Sequence, residues 1–388
     1  MWSMRAGARK LAVLSTRVLA SLTPKGDAVV IRAVPDFDDQ AVTVHRALRA
    51  RGFRGRITWL LDRPCAATAQ ALGVSDAHQV RHPTPASLAW WAAARTVFFT
   101  HGLLGIARPP LGQIVVNLWH GMPMKPVLLL HSNRELRMPL PATWTLATSP
   151  FYSDVMAAAM GVAPSSILNL GNPKNDLLFS ADPEQVWPAL GIDRSRWRRI
   201  VSWLPTYRES AHPGERLGEP SHPLPLASAS RARLERVLEA GNTLLIVKAH
   251  PLSLHHGELP ADSEHIRYVD TPSLVAAGVA PYEFLGVTDA MISDVSSVWV
   301  DYLVTDKPML FFLPDIDAYR ANRGMMLEPY EDWIPGPLAC TEQELLEAVE
   351  SLCDGDDPLP EWRRTIRDRL NHHPGPGATD RLLDHLGF

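Results

Sequence analysis

The chain has 388 residues, of which 46% are hydrophobic and 21% charged, with a formal net charge of −4. This length is too great for one ordinary core and predicts two domains of similar size, while the composition gives no global reason to expect a nucleic-acid partner. The three cysteines, Cys65, Cys340 and Cys353, are odd in number and lack C-x-x-C spacing, which argues against a disulfide framework or a zinc site and favours a reducing cytoplasm.

The first predicted element is a basic amphipathic helix within residues 1–26. Apolar residues alternate there with basic ones, and no acidic residue precedes Asp27. This composition is typical of a helix on an anionic membrane surface, although a plain solvated helix is equally compatible with it. No run approaches the roughly 20 apolar residues of a spanning helix, so peripheral attachment is expected. The basic residues are Arg5, Arg9, Lys10, Arg17 and Lys25.

Strand and helix patterns then alternate in two series, separated by a Pro-, Trp- and Arg-rich break at residues 182–199. Such alternation builds parallel sheets covered by helices. It predicts two doubly wound, Rossmann-like domains facing a cleft, residues 27–184 and 185–388, with ligands bound outside the carboxyl ends of the strands. The predicted strands are 28–34, 57–61, 96–100, 113–119, 144–147, 167–170, 200–204, 243–249, 266–269, 290–293 and 309–313, and the helices are 40–51, 86–94, 149–160, 231–239, 296–303 and 342–352.

A histidine directly follows the strand predicted at residues 113–119. The sequence N-L-W-H-G-M-P-M-K at residues 117–125 places His120 at the carboxyl edge of the sheet, and Gly121 allows a sharp turn and a close approach of substrate. His120 is therefore the leading candidate for a general base, although a core histidine at a strand end has the same pattern. A similar element in the second series, V-K-A-H-P, contains His250 and favours the catalytic interpretation.

Phosphate binding is indicated where a helix is predicted from residue 296. Asp294, Ser296 and Ser297 stand between an apolar strand and this helix, where hydroxyls and free N–H groups can meet an anion. Helix capping alone also explains the serine pair, but cations at other strand ends would complement a diphosphate. No P-loop, dinucleotide-binding or H-E-x-x-H motif occurs. The cations are Arg208, Lys248, Arg320 and Arg323.

Taken in order, the strand-end segments resemble those of the CDP-glycerol glycerophosphotransferase family, the primases and polymerases of teichoic acids and related capsule polymers. The resemblance spans nearly the whole chain. The similar segments are P-D-F-D-D (35–39), L-W-H-G-M-P-M-K (118–125), G-N-P-K-N-D-L-L-F (171–179), P-T-Y-R (205–208), K-A-H-P (248–251), S-D-V-S-S-V-W-V-D-Y-L (293–303), D-I-D-A-Y-R-A-N-R-G (315–324) and P-G-P-L (335–338).

The resemblance implies an α/β, GT-B-like fold, with residues 27–184 as the acceptor domain and residues 185–388 as the CDP-alditol donor domain. It also implies a peripheral location on the inner face of the bacterial cell membrane. The implied reaction is transfer of glycerol phosphate from CDP-glycerol to a lipid-linked saccharide or glycerol-phosphate chain, with release of CMP.

The expected roles follow the same resemblance. His120 accepts the proton of the acceptor hydroxyl, and His250 holds or protonates the donor diphosphate. A divalent metal is compatible with such a donor, but the sequence has no dedicated ligand motif for one. Serine hydroxyls and cations bind the diphosphate, and the remaining residues orient neighbours or contact the donor. The first group is Ser296, Ser297, Arg323, Arg208 and Lys248, and the second is Asp294, Asp301, Asn175, Asp176 and Gly121.

Departures from the family pattern leave the substrate open, among them a stretch after Gly324, M-M-L-E, that is less aromatic than usual in the family. Met122 stands where the family usually has threonine, which removes a hydroxyl, and Lys174 stands where arginine is common, which replaces a planar fork by a point charge. A CDP-ribitol ribitolphosphotransferase and a GT-B nucleotide-sugar glycosyltransferase are therefore alternatives. A non-catalytic binding module is a third, against which the two histidines and the serine pair count.

Overall fold

The computed structural model of the protein describes residues 16–102, 108–206, 223–249 and 258–388, without the side chains of residues 322 and 323. The described chain divides into two compact units. The first contains the residues up to Met122, Val127–Asp176 and Pro376–Phe388, and the second contains Pro123–Pro126 and Leu177–Gly375.

A seven-stranded parallel sheet is the centre of the first unit in the described part of the chain. Its strands are short apolar runs such as Val29–Ile31, which is buried, as expected where helices cover both faces of a parallel sheet. The strand order is β3-β2-β1-β4-β5-β6-β7. The strands are β1 (Gly26–Arg32), β2 (Arg56–Leu61), β3 (His78–Arg81), β4 (Ala94–Phe99), β5 (Ile114–Asn117), β6 (Trp144–Ala147) and β7 (Ile167–Asn169).

Three helices of this unit, α2, α4 and α5, begin at side chains that satisfy free N–H groups. Asp38 accepts from the backbone N–H of Gln40, and Ser149 accepts from that of Tyr152. Thr84 forms a capping box with Ser87. The helices are α1 (residues 16–22), α2 (Asp39–Ala50), α3 (Ala66–Ala71), α4 (Pro85–Ala93) and α5 (Pro150–Met160).

The strand order of the first sheet reverses between β1 and β4, which lie side by side. After β1 the chain builds outward to β2 and β3, and from β4 it builds in the opposite direction. Loops that leave the carboxyl ends of strands on either side of such a switch point diverge and form a crevice. Because these strands are parallel, the segments that follow β1, β4 and β5 leave the same edge of the sheet, beside this crevice.

The second unit contains a six-stranded parallel sheet in its described part, in the order β10-β9-β8-β11-β12-β13. Its switch point lies between β8 and β11. The strands are β8 (Arg199–Trp203), β9 (Thr243–Lys248), β10 (Ile266–Val269), β11 (Ala290–Ser293), β12 (Met309–Phe312) and β13 (Leu338–Ala339). The helices are α6 (Leu177–Ser180), α7 (Pro183–Ala189), α8 (Ser228–Ala240), α9 (Thr271–Ala276), α10 (Pro281–Val287), α11 (Val298–Tyr302), α12 (Ile316–Arg323), α13 (Glu342–Asp354) and α14 (Pro360–Leu370).

The end of the chain returns to the first unit as α15 (Ala378–Leu386). Both carboxylate oxygens of Asp176 accept from the first turn of this helix: Oδ1 from the N–H groups of Gly377 (2.7 Å) and Ala378 (3.0 Å), and Oδ2 from that of Thr379 (2.9 Å). The sequence placed residues 376–388 in the second domain and the boundary after residue 184. In the structure the first unit instead ends at Asp176 and resumes at Pro376. The sequence did not predict this division, because a contact between residues about 200 positions apart leaves no periodic signal.

Several helices and strands were not predicted from the sequence or have other bounds than predicted. The edge strand β3 is short and mostly polar, and the edge strand β13 has only two residues, so neither stands out in the sequence. Helix α7 lies inside the predicted break, where Trp187 is buried despite the surrounding prolines. Helix α11 is shorter than the helix predicted at residues 296–303 and continues as a 3-10 turn, Leu303–Thr305. No helix of the described residues is long and apolar enough to cross a membrane.

Candidate active site

His120 lies in a strained turn directly after β5. Trp119 adopts a φ of 56° and Gly121 a φ of 145°, and a positive φ is costly for a bulky residue such as tryptophan. The buried side chain of Asn117 stabilises the turn, because its Oδ1 accepts from the backbone N–H of Trp119 at 3.0 Å. The sharp reversal predicted at Gly121 is thus present, and the strained backbone begins two residues earlier, at Trp119.

The His120 ring packs against two aromatic neighbours. Its centroid lies 3.8 Å from that of His101, with the ring planes 10° apart, and 4.1 Å from that of Trp119. Nδ1 of His120 also lies 3.5 Å from the carbonyl oxygen of Thr100. His101 follows β4, the strand next to β5. Sequence reasoning missed His101, although its position just after an apolar strand was an available signal.

A buried glutamine links the His120 turn to the segment after β7. The side-chain amide of Gln40 donates to the Leu118 carbonyl at 3.1 Å, and its oxygen accepts from the Lys174 backbone N–H at 2.9 Å. Lys174 is also buried, and its Nζ donates to the His120 carbonyl at 2.9 Å. The lysine that replaces the family's usual arginine therefore positions the His120 backbone.

Arg32, at the end of β1, adds a second buried cation to the same sheet edge. It pairs with Asp36 at 3.2 Å and with Asp62 at 2.8 Å. Burial lowers the pKa of His101 to about 4, and the positive charges of Arg32 and Lys174 act in the same direction. His101 is also partly exposed to solvent, and its lowered pKa leaves the ring neutral near pH 7.

Three other residues of the first unit that the sequence analysis singled out are buried or hydrogen-bonded within the fold. Asp176 is occupied by its three hydrogen bonds to the start of α15, which supports the orienting alternative rather than a donor contact. Asn175 is buried, and its Oδ1 has no hydrogen-bond partner among the described residues. Met122 is fully buried, so this side chain packs in the interior of the first unit.

At the switch point of the second sheet, Asp294 joins the segments that follow β8 and β11. Its Oδ2 accepts from the Thr206 backbone N–H at 2.8 Å, and its Oδ1 accepts from the Thr206 hydroxyl at 2.5 Å and the Ser296 N–H at 3.0 Å. The Asp294 carbonyl accepts from the Tyr330 hydroxyl at 2.8 Å. Asp294 therefore orients this edge.

The predicted phosphate-binding serines lie beside this network. Ser296 and Ser297 are half-buried, and Ser297 precedes α11 without a side-chain capping bond. Because α11 has only 5 residues, an anion here would depend on hydroxyls and nearby cations more than on a helix dipole. Lys248 ends β9 and is half-buried.

Two charged groups of the second unit are engaged in the fold. Asp301 is fully buried and accepts from the Tyr282 hydroxyl at 2.7 Å, a contact that joins α11 to α10. Arg320 lies between three carboxylates, each at 3.1 Å. These contacts favour structural roles for both residues, and they argue against Arg320 as a diphosphate ligand. The carboxylates belong to Asp317, Glu328 and Glu331.

His250, Arg208 and the side chain of Arg323 lie outside the described residues. Within the described ranges, no group of three or more His, Cys, Asp or Glu side chains is placed to hold a metal ion.

Two doubly wound parallel sheets, each with polar side chains at its switch point, define a GT-B-like α/β protein. The wall teichoic acid polymerase TagF has the same fold: its structure matches 99% of this chain and 97% of its own with a TM-score of 0.74, at 17% identity. The chain belongs to the CDP-glycerol:poly(glycerophosphate) glycerophosphotransferase family, whose model matches residues 15–386. The GT-B-like fold and the family predicted from the sequence are therefore confirmed.

Two relatives agree with the family, and the matched region covers only part of their greater length. The teichoic acid ribitol-phosphate polymerase TarL of Staphylococcus aureus is 27% identical over 241 residues, which cover 61% of this chain and 39% of TarL. A teichoic acid glycerol-phosphate primase of Bacillus spizizenii is 29% identical over 238 residues, which cover 61% of this chain and 56% of the primase.

Proposed function

We propose that the protein transfers glycerol phosphate from CDP-glycerol to a hydroxyl of a lipid-linked acceptor and releases CMP, in the synthesis of a teichoic-acid-like or capsular polymer. The family match over residues 15–386 carries this proposal. The turn that presents His120 beside two buried cations supports it, because phosphoryl transfer needs a base for the attacking hydroxyl and positive charge near the reacting oxygens.

In this reaction the acceptor oxygen attacks the distal phosphorus of CDP-glycerol, and a new P–O bond forms as the bond to the bridging oxygen breaks. CMP leaves with that electron pair, and His120 takes the hydroxyl proton. Lys174 fixes the His120 backbone, so the base is held in one orientation. Such positioning contributes much of the rate in phosphoryl transfer, where the protein forms no bond to phosphorus.

The donor diphosphate belongs, in this proposal, to the carboxyl edge of the second sheet. Ser296 and Ser297 donate hydroxyl hydrogens to it, and His250 holds or protonates the leaving side. Asp294 supports the serines through its bond to the Ser296 N–H. The cations Lys248, Arg208 and Arg323 supply positive charge.

The experiment is CMP release from CDP-glycerol with a defined lipid-linked acceptor. We expect His120→Ala and His250→Ala each to lower turnover by about 10²–10⁴-fold, the usual contribution of general acid–base catalysis. His372→Ala is the matched control, because His372 is exposed. Turnover at the wild-type rate in either site variant, with unchanged thermal unfolding, excludes that histidine from the mechanism.

The donor alcohol is the second question, because TarL is a ribitol-phosphate polymerase. CDP-glycerol and CDP-ribitol are compared for CMP release and for protection from thermal unfolding. Faster turnover with CDP-ribitol would assign the chain to ribitol phosphate transfer, and protection by a UDP-sugar alone would favour a glycosyltransferase. Mass spectrometry of the product chain distinguishes a primase from a polymerase.

Membrane attachment is the third part of the proposal. In α1, the side chains of Leu19 and Leu22 are 66% and 77% exposed, whereas Ala20 is fully buried in the core of the first unit. Deleting α1 would therefore damage the fold, and the sharper test is Leu19→Gln with Leu22→Gln. Weaker sedimentation with anionic liposomes than for the control Leu359→Gln supports attachment through α1, and equal sedimentation excludes α1 as the anchor.

A further inference from the structure

The stacked imidazoles of His101 and His120 have different hydrogen-bond surroundings. Thr100 is fully buried, and its hydroxyl oxygen accepts from the Val34 backbone N–H at 3.0 Å. The same oxygen lies 3.0 Å from Nδ1 of His101. With one lone pair engaged by Val34, the hydroxyl hydrogen is best satisfied by donation to Nδ1, which requires that Nδ1 of His101 carries no proton.

The charges around the pair favour the same assignment. Arg32 at the end of β1 and Lys174 after β7 both disfavour a proton on His101. Asp36 and Asp62 face this edge as well, but both are paired with Arg32.

The stacking geometry indicates where a proton is favoured. Nearly parallel rings at 3.8 Å attract weakly when both are neutral, since neutral aromatic pairs prefer offset or edge-to-face contacts. The same arrangement is stabilising when one ring is a cation over the face of the other. With His101 held neutral, the cationic partner is His120.

We propose that His101 is a positioning residue that holds the His120 ring by stacking and stabilises its imidazolium form when it takes the acceptor proton. This inference deepens the proposed function and rests on it. His101 does not itself exchange a proton in the reaction.

The test separates ring stacking from hydrogen bonding with two variants. His101→Phe retains an aromatic face, and His101→Leu removes it while keeping an apolar side chain. The protonation of His120 is followed by NMR titration of its Cε1–H signal in protein labelled with ¹³C-histidine, assigned with the variant His120→Gln. This titration reports the effect of ring stacking on the His120 pKa, and it does not depend on which donor substrate the enzyme uses.

We expect the His120 pKa in His101→Phe to be no lower than in the wild type, and that in His101→Leu to be lower by about half a pH unit, the equivalent of a weak cation–π contact. In parallel, kcat of His101→Leu should fall several-fold, with KM for the donor unchanged and the acid limb of the pH profile moved to lower pH. An identical His120 pKa in all three proteins overturns the proposal, even if activity falls. A shifted pKa without activity on any CDP-alditol upholds the stack and refutes the proposed reaction.

Discussion

Replacing Asp176 tests whether this carboxylate stabilises the first unit or contacts the donor. Asp176→Ala removes three hydrogen bonds of 2.7 to 3.0 Å to the first turn of α15. Loss of an ordinary N-cap costs about 0.5–2 kcal/mol, and loss of a negative charge at a helix N-terminus costs a further 0.3–1 kcal/mol or so. We therefore expect a loss of about 2 kcal/mol, or roughly 4–8 °C in Tm for a unit of this size.

Asp176→Asn should cost less, for a geometric reason. The retained Oδ1 can still accept from Gly377 and Ala378, but the new amide NH₂ occupies the place of Oδ2 and faces the Thr379 N–H, donor against donor. A loss of about 1 kcal/mol follows from one missing bond. Asp182→Ala is the matched control, because the Asp182 side chain caps α7 in the second unit through one backbone N–H, that of Glu184, and otherwise accepts only from the side-chain amide of Gln185 among the described residues.

The assays are calorimetric unfolding, hydrogen exchange of the amides in α15, and CMP release well below Tm. We expect lower Tm, faster exchange at residues 377–379 and nearly unchanged kcat/KM for folded Asp176→Ala. A variant with wild-type Tm and a raised KM for CDP-glycerol would refute the capping role and restore the donor contact considered from the sequence.

Four further changes probe the fold and the site. Burial lowers the pKa of His45, so its folded-state pKa lies below the unfolded value near 6.5. The unfolding free energy should therefore fall as the pH drops below about 6.5. His45→Gln should flatten this pH dependence in denaturant titrations. Asn117→Ala removes the acceptor of the strained turn and should cost about 1–3 kcal/mol in chemical unfolding together with most of kcat; wild-type kinetics would contradict this. Lys174→Met should lower kcat about 10-fold or more through loss of the bond to the His120 carbonyl, with partial recovery in Lys174→Arg, whereas equal rates in all three would remove the lysine from the positioning of His120. Gly286→Ala would bring a Cβ to 2.6 Å from the Leu178 carbonyl oxygen, so it should destabilise the second unit by about 1–3 kcal/mol, and a thermal scan without a lower Tm would contradict the close packing of α10 on α6.

Local patterns in the sequence were enough to predict most central strands, the turn at His120 and the family. Apolar runs of strand length identified most of the central strands, because a parallel strand that is buried on both faces consists of consecutive apolar residues. The glycine after His120 predicted the turn that presents the ring, and the order of strand-end segments led to the family. These properties depend on neighbours in the chain, which a sequence displays directly.

The tertiary structure decided which of the polar residues at strand ends remain available for chemistry. Asp176, Asp301 and Arg320 are charged residues of the kind found in active sites. Each, however, forms hydrogen bonds or ion pairs with residues that the fold brings close. Conversely, the sheet order places the segment after β4 beside that after β5, which brings His101 onto His120. Hydrogen bonds and stacking between residues distant in sequence leave no periodic trace. The sequence alone therefore predicted His120 as the base, whereas only the fold showed which residues surround it.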